Sequence, residues 1–306
     1  EHIESAGIHS GDSACVLPPV TLSEKQISVI KDYVTILSKE LKVCGLINLQ
    51  LAIKDEIIYI LEVNPRASRT VPYVSKSINL PIAKVATKVI LGKKIKDLID
   101  TKILNYNLSF KPKYYTVKEV VLPFSKFSNV DAVLSPEMRS TGEVMGIDKT
   151  FPLAYAKSQF AANSPIVLEG KIFVSLNKDS RMQGKEIVRE LVNLGYEIVA
   201  TSGTAKFLSE NGIKSSVVKK INEGRPNIID IISNKEVVMV INTPSGRGKS
   251  FSDGFYIRRN AILNNIPIIT TLESAECIVK SIKELKKRSK KIENFFNVYP
   301  LQNLYR

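Results

Sequence analysis

From residue 171 onward, short apolar runs alternate with longer helical patterns, and this order restricts the fold more than any other feature of the chain. The helical patterns end at glycines such as Gly195 and Gly212, where helices commonly terminate. Strands are predicted at residues 172–176, 196–200, 216–218, 237–242 and 266–271, and helices at residues 185–194, 205–211 and 275–285. Such alternation predicts a parallel sheet with helices on both faces. We therefore expect an α/β, doubly wound domain in the second half of the chain.

Polar turns follow three of these predicted strands, at the sheet edge where parallel sheets bind ligands. Residues 201–204 (TSGT) open a helix, and backbone N–H groups and hydroxyls at a helix N-terminus bind phosphate well. Residues 242–247 (NTPSGR) follow a second strand, and residues 219–220 (KK) follow a third. Together these turns predict a phosphate or nucleotide pocket. The alternative is that they are helix caps and polar loops without a ligand.

The second half is expected to bind a ligand rather than to catalyse a reaction. The chain's two histidines, His2 and His9, both lie outside it, which removes the usual acid–base group near neutral pH. Asp230 and Asp253 remain as candidate acids. A regulatory module therefore fits this region better than an active site.

A polar β-hairpin is predicted near the start of the chain. Two alternating, Ile- and Leu-rich runs, residues 46–53 and 57–64, flank a short polar turn. Because residues two apart share one face of a strand, polar side chains near the open end of the hairpin should lie together. These side chains are Asn48, Gln50, Glu62 and Asn64.

This arrangement brings one carboxylate and several amide oxygens to one place, with Arg66 and Arg69 just beyond. Hard oxygen ligands suit Mg²⁺, which proteins usually hold with one or two carboxylates plus substrate phosphates. Neighbouring arginines suit an anionic substrate. The alternative interpretation is a hairpin with a solvated polar face.

Fewer elements are predicted in the rest of the first half. Ser23 and Gln26 form a capping-box pattern at the start of a helix, and Gly45 is predicted to close it. A second helix is expected at residues 81–91 and a strand at residues 117–124. Loops are expected at residues 1–22, 93–115 and 135–146.

Charge and composition exclude several classes of function. The net charge is +14, but lysine is spread along the chain and only residues 280–291 form a dense basic block, which we interpret as a solvated helix end or tail. The chain has no Trp and no aromatic–basic RNA-binding signature, so no nucleic-acid partner is expected. No apolar run approaches the length of a membrane span and no signal peptide is visible, so no membrane partner is expected.

The three cysteines, Cys15, Cys44 and Cys277, are far apart and lack zinc-type spacing, which favours a reducing, cytoplasmic environment. A length of 306 residues predicts roughly two domains. The chain starts at Glu1 within a motif, and we expect it to be the C-terminal section of a longer protein.

Several motifs, in order and spanning nearly the whole chain, resemble the large chain of carbamoyl-phosphate synthase. They are EHIESAGIHSGDSAC, GLINLQLAIKDEIIYILEVNPRASRTVPYVSK, YYTVKEVVLPFSKF, PEMRSTGEVMG, TSGTA, EGRPNIIDII and SDGFYIRRNAI. The resemblance implies that residues 1–164 are the C-terminal part of an ATP-grasp domain of α+β type. Residues 165–290 would be a methylglyoxal-synthase-like allosteric domain, and residues 291–306 a basic, polar tail.

The resemblance also implies a reaction: ATP-dependent phosphorylation of carbamate to carbamoyl phosphate, for pyrimidine and arginine biosynthesis. Gln50, Glu62 and Asn64 match the family's ligands for the Mg²⁺ or Mn²⁺ that bridges ATP phosphates. Arg66 and Arg69 match residues that hold phosphate and carbamate. Phosphoryl transfer depends mainly on positioning and charge neutralisation, so Asn64 and the two arginines are the expected catalytic residues.

Further residues match binding positions of the family. The nucleotide is expected beside Gly7, Ile8, His9 and Ser10. An ornithine-like effector is expected at Glu4, Asp12 and Glu119. UMP or IMP is expected at Arg181, Thr201, Thr204, Lys220 and Asn242, although Pro244 replaces a hydroxyl residue found in some members.

The implied partners are the rest of the large chain, a glutaminase that is a small subunit or a fused domain, and further copies in an oligomer. Because segments that clamp ATP are not part of this sequence, we expect the isolated chain to be inactive. One competing hypothesis is a stand-alone nucleotide-sensing module without catalysis. Another is a methylglyoxal-synthase-like lyase, against which the lack of histidine after His9 argues.

Overall fold

The computed structural model describes residues 1–99, 113–127, 130–244, 249–288 and 298–304. Within these ranges the strands form a two-stranded hairpin, a three-stranded antiparallel sheet and a five-stranded parallel sheet. The strands are β1 (Cys15–Leu17), β2 (Asn48–Lys54), β3 (Ile57–Asn64), β4 (Tyr115–Val121), β5 (Gly142–Asp148), β6 (Lys171–Ser175), β7 (Glu197–Thr201), β8 (Ser216–Val218), β9 (Met239–Asn242) and β10 (Ile268–Ile269).

The helices surround these sheets. They are α1 (Glu24–Glu40), α2 (Thr70–Ser77), α3 (Ile82–Ile90), α4 (Phe151–Ala161), α5 (Arg181–Asn193), α6 (Ser202–Glu210), α7 (Ile228–Ser233), α8 (Lys249–Leu263), α9 (Leu272–Arg288) and α10 (Leu301–Leu304). None of the helices within the described ranges has the length and apolar character needed to cross a membrane.

The five-stranded sheet confirms the predicted doubly wound α/β architecture. Its strand order is β10-β9-β6-β7-β8, and every pairing is parallel. Alternate residues of β6 enter two different apolar clusters, because successive side chains of a strand point to opposite faces. Ile172 joins the cluster that contains residues of α5, α6 and α9, whereas Phe173 joins the cluster that contains residues of α7 and α8.

The three-stranded sheet, in the order β1-β4-β5, is the scaffold of the first half. It carries α4 against one face, and Gly146 on β5 permits this close packing. A Cβ at Gly146 would lie 2.0 Å from the Ala154 carbonyl oxygen and 2.5 Å from the Ser158 nitrogen, both on the α4 backbone. Any larger residue would therefore push α4 away from the sheet.

The two halves share one apolar core. The larger cluster runs without a break from Val16, Val117 and Phe151 of the first half to residues of β6, α5 and α9 in the second. The Ser281 hydroxyl on α9 donates to the Pro152 carbonyl of α4 at 2.7 Å. The expected division at residues 164–165 falls between α4 and β6. Buried side chains of the two halves pack against each other across it.

The structure corrects the predictions for the first half. Residues 1–22 contain β1, and the predicted loop 135–146 ends inside β5, which pairs with β4 over its full length. Polar β5 was missed because its stability comes from a distant partner strand rather than from its own apolar alternation. Helices α2 and α4 were also missed, and α4 lacks the polar stripe that marks a helix because most of its residues are buried.

Several predicted boundaries were also wrong. Helix α1 ends at Glu40 rather than near Gly45, since Lys42 already adopts a left-handed conformation with φ of 49°. The strand predicted at residues 117–124 is β4, which Pro123 helps to end, and the last predicted strand shortens to β10. Residues 100–112, 245–248, 289–297 and 305–306, which include parts of the predicted loop, turn and tail, lie outside the described residues.

Candidate functional site

The predicted polar end of the hairpin is present. Gln50 lies directly opposite Glu62, and Asn48 lies opposite Asn64, in the antiparallel pairing of β2 with β3. The side chains of such a pair point to the same face of the sheet. The Asn64 amide nitrogen donates to the Glu62 carboxylate at 2.9 Å, which leaves the amide oxygen of Asn64 and a second carboxylate oxygen available.

A β-bulge sets the direction of Glu62. The register shifts between Gln50 and Leu51, so that Leu61 is the extra residue between the pairs Gln50–Glu62 and Leu51–Ile60. Bulges bend a strand and redirect side chains, and they are common beside active sites. The bulge changes which residues of β3 share a face with Gln50, and it places Glu62 rather than Leu61 opposite it.

The chemistry of this donor set fits a divalent cation of the Mg²⁺ type. One carboxylate and the amide oxygens of Gln50 and Asn64 are hard ligands, and a Mg²⁺ held by so few protein groups would complete its shell with waters and substrate phosphates. In the described part of the chain, no group of three or more His, Cys, Asp or Glu side chains is arranged to hold a metal.

Arg66 and Arg69 follow the hairpin directly. Arg66 is exposed, and one of its guanidinium nitrogens donates to the Ala67 carbonyl at 2.9 Å. The Arg69 guanidinium contacts Met138 and lies 3.4 Å from the Ser140 hydroxyl. Arg69 is thus held against the segment that connects β4 with β5, whereas Arg66 remains free to turn toward an anion.

The segment Gly7–Ser10 meets the same β4–β5 connection. The His9 backbone nitrogen donates to the Ser135 carbonyl at 2.9 Å, and the His9 Nδ1 accepts from the Gly11 nitrogen at 3.0 Å. The imidazole therefore fixes its own loop through Nδ1. The structure brings this predicted nucleotide segment and Arg69 to one connection, but it gives no contact between His9 and the hairpin.

Glu4, Asp12 and Glu119, the residues of the expected effector site, line one cavity of about 520 Å³. The Glu4 carboxylate accepts from the Ala14 nitrogen at 2.7 Å and from the Ser274 hydroxyl at 3.2 Å. Asp12 is fully buried, and its two oxygens accept from the backbone nitrogens of Arg139 and Ser140. Asp12 therefore also fixes the β4–β5 connection.

Burial changes the acidity of two carboxyls in this cavity. Burial, and second the nearby Glu4 carboxylate, raise the pKa of Glu119 to about 8. Burial likewise raises the pKa of Glu4. A cationic amine in this cavity would favour the charged forms of both groups.

The predicted nucleotide pocket is a cleft of about 520 Å³ at the carboxyl ends of the parallel strands. All five residues assigned to it from the sequence line this cleft: Arg181, Thr201, Thr204, Lys220 and Asn242. Lys219, the neighbour of Lys220, does not line it; its ammonium donates to the Arg225 carbonyl at 3.3 Å. Thr201 and Asn242 are the last residues of β7 and β9, and Lys220 lies just beyond β8, at the sheet edge where parallel sheets bind ligands.

Most polar groups of the cleft are already held in place. The buried Thr204 hydroxyl accepts from the Leu176 nitrogen at 3.1 Å and lies 3.4 Å from the Thr201 hydroxyl. The Asn177 nitrogen donates to the Thr243 hydroxyl at 2.8 Å. The floor of the cleft is therefore rigid before any ligand enters.

Arg181 is an exception. Its guanidinium stacks over the Phe207 ring, with 5.6 Å between the guanidinium carbon and the ring centroid. Its Nε is one of three buried side-chain nitrogen or oxygen atoms without a hydrogen-bond partner among the described residues. A cationic group with an unused donor at the cleft suits an anionic ligand such as a phosphate monoester.

Sequence reasoning missed Arg258, the largest fully buried side chain of the described residues. Arg258 lines the cleft and contacts Asn242, yet it also pairs with Asp131 of the β4–β5 connection. An arginine within an apolar helical pattern was the only available signal. Neither its partner nor its burial could be read from residues next to it in the chain.

Two family models match the chain. Residues 2–98 match "Carbamoyl-phosphate synthase L chain, ATP binding domain", and residues 184–270 match "MGS-like domain". The first match contains the hairpin with its two arginines, and the second contains most of the cleft. Residues 99–183, which include β4, β5 and β6, lie between the two matches.

Named relatives agree with both matches. A carbamoyl phosphate synthase large chain, C-terminal section, from Methanocaldococcus jannaschii is 48% identical over 94% of this chain and 47% of its own length. The same section from Aquifex aeolicus is 44% identical over 100% of this chain and 58% of its own length. A carbamoyl phosphate synthase large chain from Archaeoglobus fulgidus is 49% identical over 94% of this chain and 26% of its own length. The chain thus spans about half the length of the C-terminal sections that it matches.

Proposed function

The chain belongs to the carbamoyl phosphate synthase large-chain family, and we propose that it forms the part of such a chain that phosphorylates carbamate with ATP. The observation that carries the proposal is the polar end of the β2–β3 hairpin. There the register places Gln50 opposite Glu62 and Asn48 opposite Asn64, immediately before two arginines. This constellation has the oxygen donors and the cationic groups that phosphoryl transfer requires.

Each group has a role in this proposal. Gln50, Glu62 and Asn64 hold Mg²⁺ or Mn²⁺, which neutralises charge on the phosphate oxygens when it is bound. Arg66 and Arg69 orient the phosphoryl group and the carbamate, since a guanidinium matches planar anions with two parallel hydrogen bonds. The segment Gly7–Ser10 borders the nucleotide. Catalysis then depends on positioning and electrostatics without a protein nucleophile.

The cleft of the parallel sheet is proposed as the site of a regulatory nucleoside monophosphate such as UMP or IMP. Its buried hydroxyls, the Lys220 ammonium and the unused Arg181 donor support a phosphate ligand. The cavity at Glu4 and Glu119 is proposed to bind a diamine effector such as ornithine, because two half-buried carboxyls favour a cation.

Exposed apolar side chains in the first half support the proposal that the rest of the large chain binds there. Helix α1 has no buried residue, and large apolar side chains of α1, the hairpin and α3 are exposed. These side chains are Ile36, Ile60, Leu61, Ile90 and Leu91. Exposed large apolar side chains on several elements of one region favour a protein interface. A glutaminase, a cytoplasmic location, oligomer formation and roles in arginine and pyrimidine synthesis remain proposals.

The catalytic proposal is tested through the reverse reaction. ATP formation from carbamoyl phosphate and MgADP is measured with this chain in the presence of the rest of its large chain. We expect Glu62→Gln and Arg69→Lys each to lower the rate by about 10²-fold or more, as is typical when a group that stabilises transition-state charge is removed. Lys54→Gln, at the opposite end of the same hairpin, is the control and should stay near the native rate. Native-like activity in Glu62→Gln would refute the assignment.

The regulatory proposal is tested by calorimetric titration of the chain with UMP and IMP. Binding that is lost in Thr204→Ala and Lys220→Ala, but kept in Lys219→Ala, is the expected result. The adjacent lysine is a close match in charge and position that does not line the cleft. Absence of binding by the native chain would refute the nucleotide assignment and leave the hairpin as the support for the family's reaction.

A further inference from the structure

Arg258 joins the cleft of the second half to the first half. It lies on α8, and its side chain is 1% exposed. Nε donates to one Asp131 carboxylate oxygen at 2.6 Å, Nη2 donates to the other, and Nη1 donates to the Asn242 side-chain oxygen at 2.6 Å. Asp131 itself does not line the cleft, so its pair with Arg258 connects the cleft to a residue outside it.

The geometry allows little movement of this guanidinium. A bidentate pair between arginine and carboxylate fixes both distance and orientation. A Cβ at Gly254, one turn before Arg258 on α8, would lie 2.7 Å from the Arg258 Nη1 and 3.4 Å from the Asn242 oxygen. The side chain is therefore confined by Asp131 on one side and by the backbone of its own helix on the other.

This confinement determines how Asn242 faces the cleft. An amide has one acceptor end and one donor end. Because the Asn242 oxygen accepts from Arg258, its NH₂ group is the end left for a ligand. The ligand atom that meets Asn242 must therefore be a hydrogen-bond acceptor, such as a carbonyl, hydroxyl or phosphate oxygen.

Asp131 belongs to the β4–β5 connection, whose other end reaches the hairpin side of the molecule. The Val133 nitrogen donates to Asp131 at 3.3 Å, and farther along the chain Arg139 and Ser140 are held by Asp12. Ser140 also lies 3.4 Å from the Arg69 guanidinium. The β4–β5 connection thus contacts two arginines. Near one end it binds Arg258, which holds Asn242, and near the other end it lies against Arg69, a proposed catalytic residue.

We infer that Asp131 and Arg258 are positioning residues that hold Asn242 as a hydrogen-bond donor for the nucleotide and thereby link occupancy of the cleft to the β4–β5 connection. The inference rests on the proposed nucleotide site. A ligand bound to Asn242 favours one arrangement of Arg258 and Asp131, and so of the β4–β5 connection. Because such coupling is reciprocal, a change in the connection changes the affinity of the cleft for the ligand by the same factor. Neither Asp131 nor Arg258 needs to touch the ligand's phosphate for this to hold.

The test compares two aspartates in the full 306-residue chain. Asp131→Asn removes the bidentate charge pair, whereas Asp148→Asn removes a comparable pair with Lys157 that lies within the first half. The two aspartate side chains are 18% and 15% exposed, so burial is matched. UMP affinity is measured by calorimetry, and hydrogen exchange of residues 130–141 and 64–70 is measured with and without UMP.

We expect Asp131→Asn to weaken UMP binding by about 5- to 150-fold, the usual range for coupled sites, and Asp148→Asn to leave it unchanged. In the native chain UMP should slow exchange in residues 130–141, and this effect should disappear in Asp131→Asn at saturating UMP. Arg258→Lys, which keeps the charge but loses the bidentate geometry, should reproduce the loss.

A second variant covers the case in which Asp131→Asn fails to fold. Asn242→Asp keeps an acceptor for Arg258 but replaces the donor with an oxygen, so UMP binding should be abolished in a folded chain. Native affinity in Asp131→Asn and native affinity in Asn242→Asp would each overturn the inference while leaving the nucleotide site intact. Failure of the native chain to bind UMP would instead overturn the proposed site, and the inference would fall with it.

Discussion

The cleft of the parallel sheet and the polar end of the hairpin are both built from side chains at strand ends, but they differ in how firmly these are held. Thr201, Thr204 and Asn242 are buried and hydrogen-bonded to neighbouring groups. Glu62 is exposed, and its one hydrogen bond among the described groups comes from Asn64. The cleft is therefore organised by its own sheet, whereas the hairpin requires ligand and further protein to become rigid.

Because of this difference, substitutions in the two regions should affect stability and binding differently. In the cleft a substitution should change both the free energy of unfolding and the affinity for a ligand, because the same atoms serve both. In the hairpin a substitution should change binding alone.

The largest contrast is expected between two leucines. Leu208, on α6 beside the cleft, is fully buried, whereas Leu61 at the hairpin bulge is 50% exposed. Leu208→Ala should lower the free energy of unfolding by about 2–5 kcal/mol, the usual result of deleting a buried leucine side chain. Leu61→Ala should change it by less than about 0.5 kcal/mol. Urea unfolding measures both, and equal losses would contradict the contrast.

Next is a pH effect at Glu119. Its folded pKa is raised, so the native state holds more protons than the unfolded state between about pH 4.5 and 8. Stability should therefore fall as the pH rises through this window, by about 1.4 kcal/mol for each pKa unit of difference. Glu119→Gln should flatten the profile and raise stability at pH 8.

Thermal unfolding from pH 5 to pH 8 measures the effect. The exposed Glu210, replaced by Gln, is the control and should reproduce the native profile. A diamine that binds beside Glu119 favours its ionised form, so it should stabilise the protein more at pH 7 than at pH 5. A native profile in Glu119→Gln would show that this carboxyl is charged in the folded chain.

A smaller loss of stability is expected from Thr204→Ala. The substitution leaves the buried Leu176 nitrogen without its acceptor, which should lower the free energy of unfolding by about 1–3 kcal/mol. Thr35 on α1 also uses its hydroxyl, as a donor to the Lys31 carbonyl at 2.9 Å, but it is exposed. Thr35→Ala should therefore have little effect on the same denaturation curve, and a larger loss there than in Thr204→Ala would reverse the ranking.

The smallest change in stability is expected from Glu62→Gln. The exposed carboxylate contributes little to folding, so the melting temperature should stay within about 1 °C of the native value. Loss of the only carboxylate of the proposed site should nevertheless weaken Mn²⁺ binding by about tenfold or more. Electron paramagnetic resonance of free Mn²⁺ measures this binding, and unchanged affinity would remove Glu62 from the site.

The local parts of both sites could be predicted from the sequence. A repeat of two residues is enough to place Gln50 with Asn48 and Glu62 with Asn64. Polar turns after apolar runs are enough to locate the strand ends that form the cleft. In both cases the sequence pattern and the structural feature that it predicts involve residues only a few positions apart.

The missed features all depend on residues far apart in the chain. Asp131 and Arg258 are separated by 127 positions, and their pairing exists only because the β4–β5 connection crosses to α8. Strand β5 forms against β4, and α4 is buried so completely that its sequence lacks a polar face. The bulge at Leu61 was also invisible, because Leu61 follows four other apolar residues and nothing in β3 marks it as the extra residue.

The apolar core that runs from β1, β4 and α4 into β6 and α9 affects how the chain folds as well as how it is held together. Neither half can bury that surface alone, so the division between the two family matches is not a boundary of cooperativity. The halves should gain and lose their structure in one transition. A gene truncated between them would encode two pieces that each expose one side of a common interface, and each would be a target for aggregation and proteolysis.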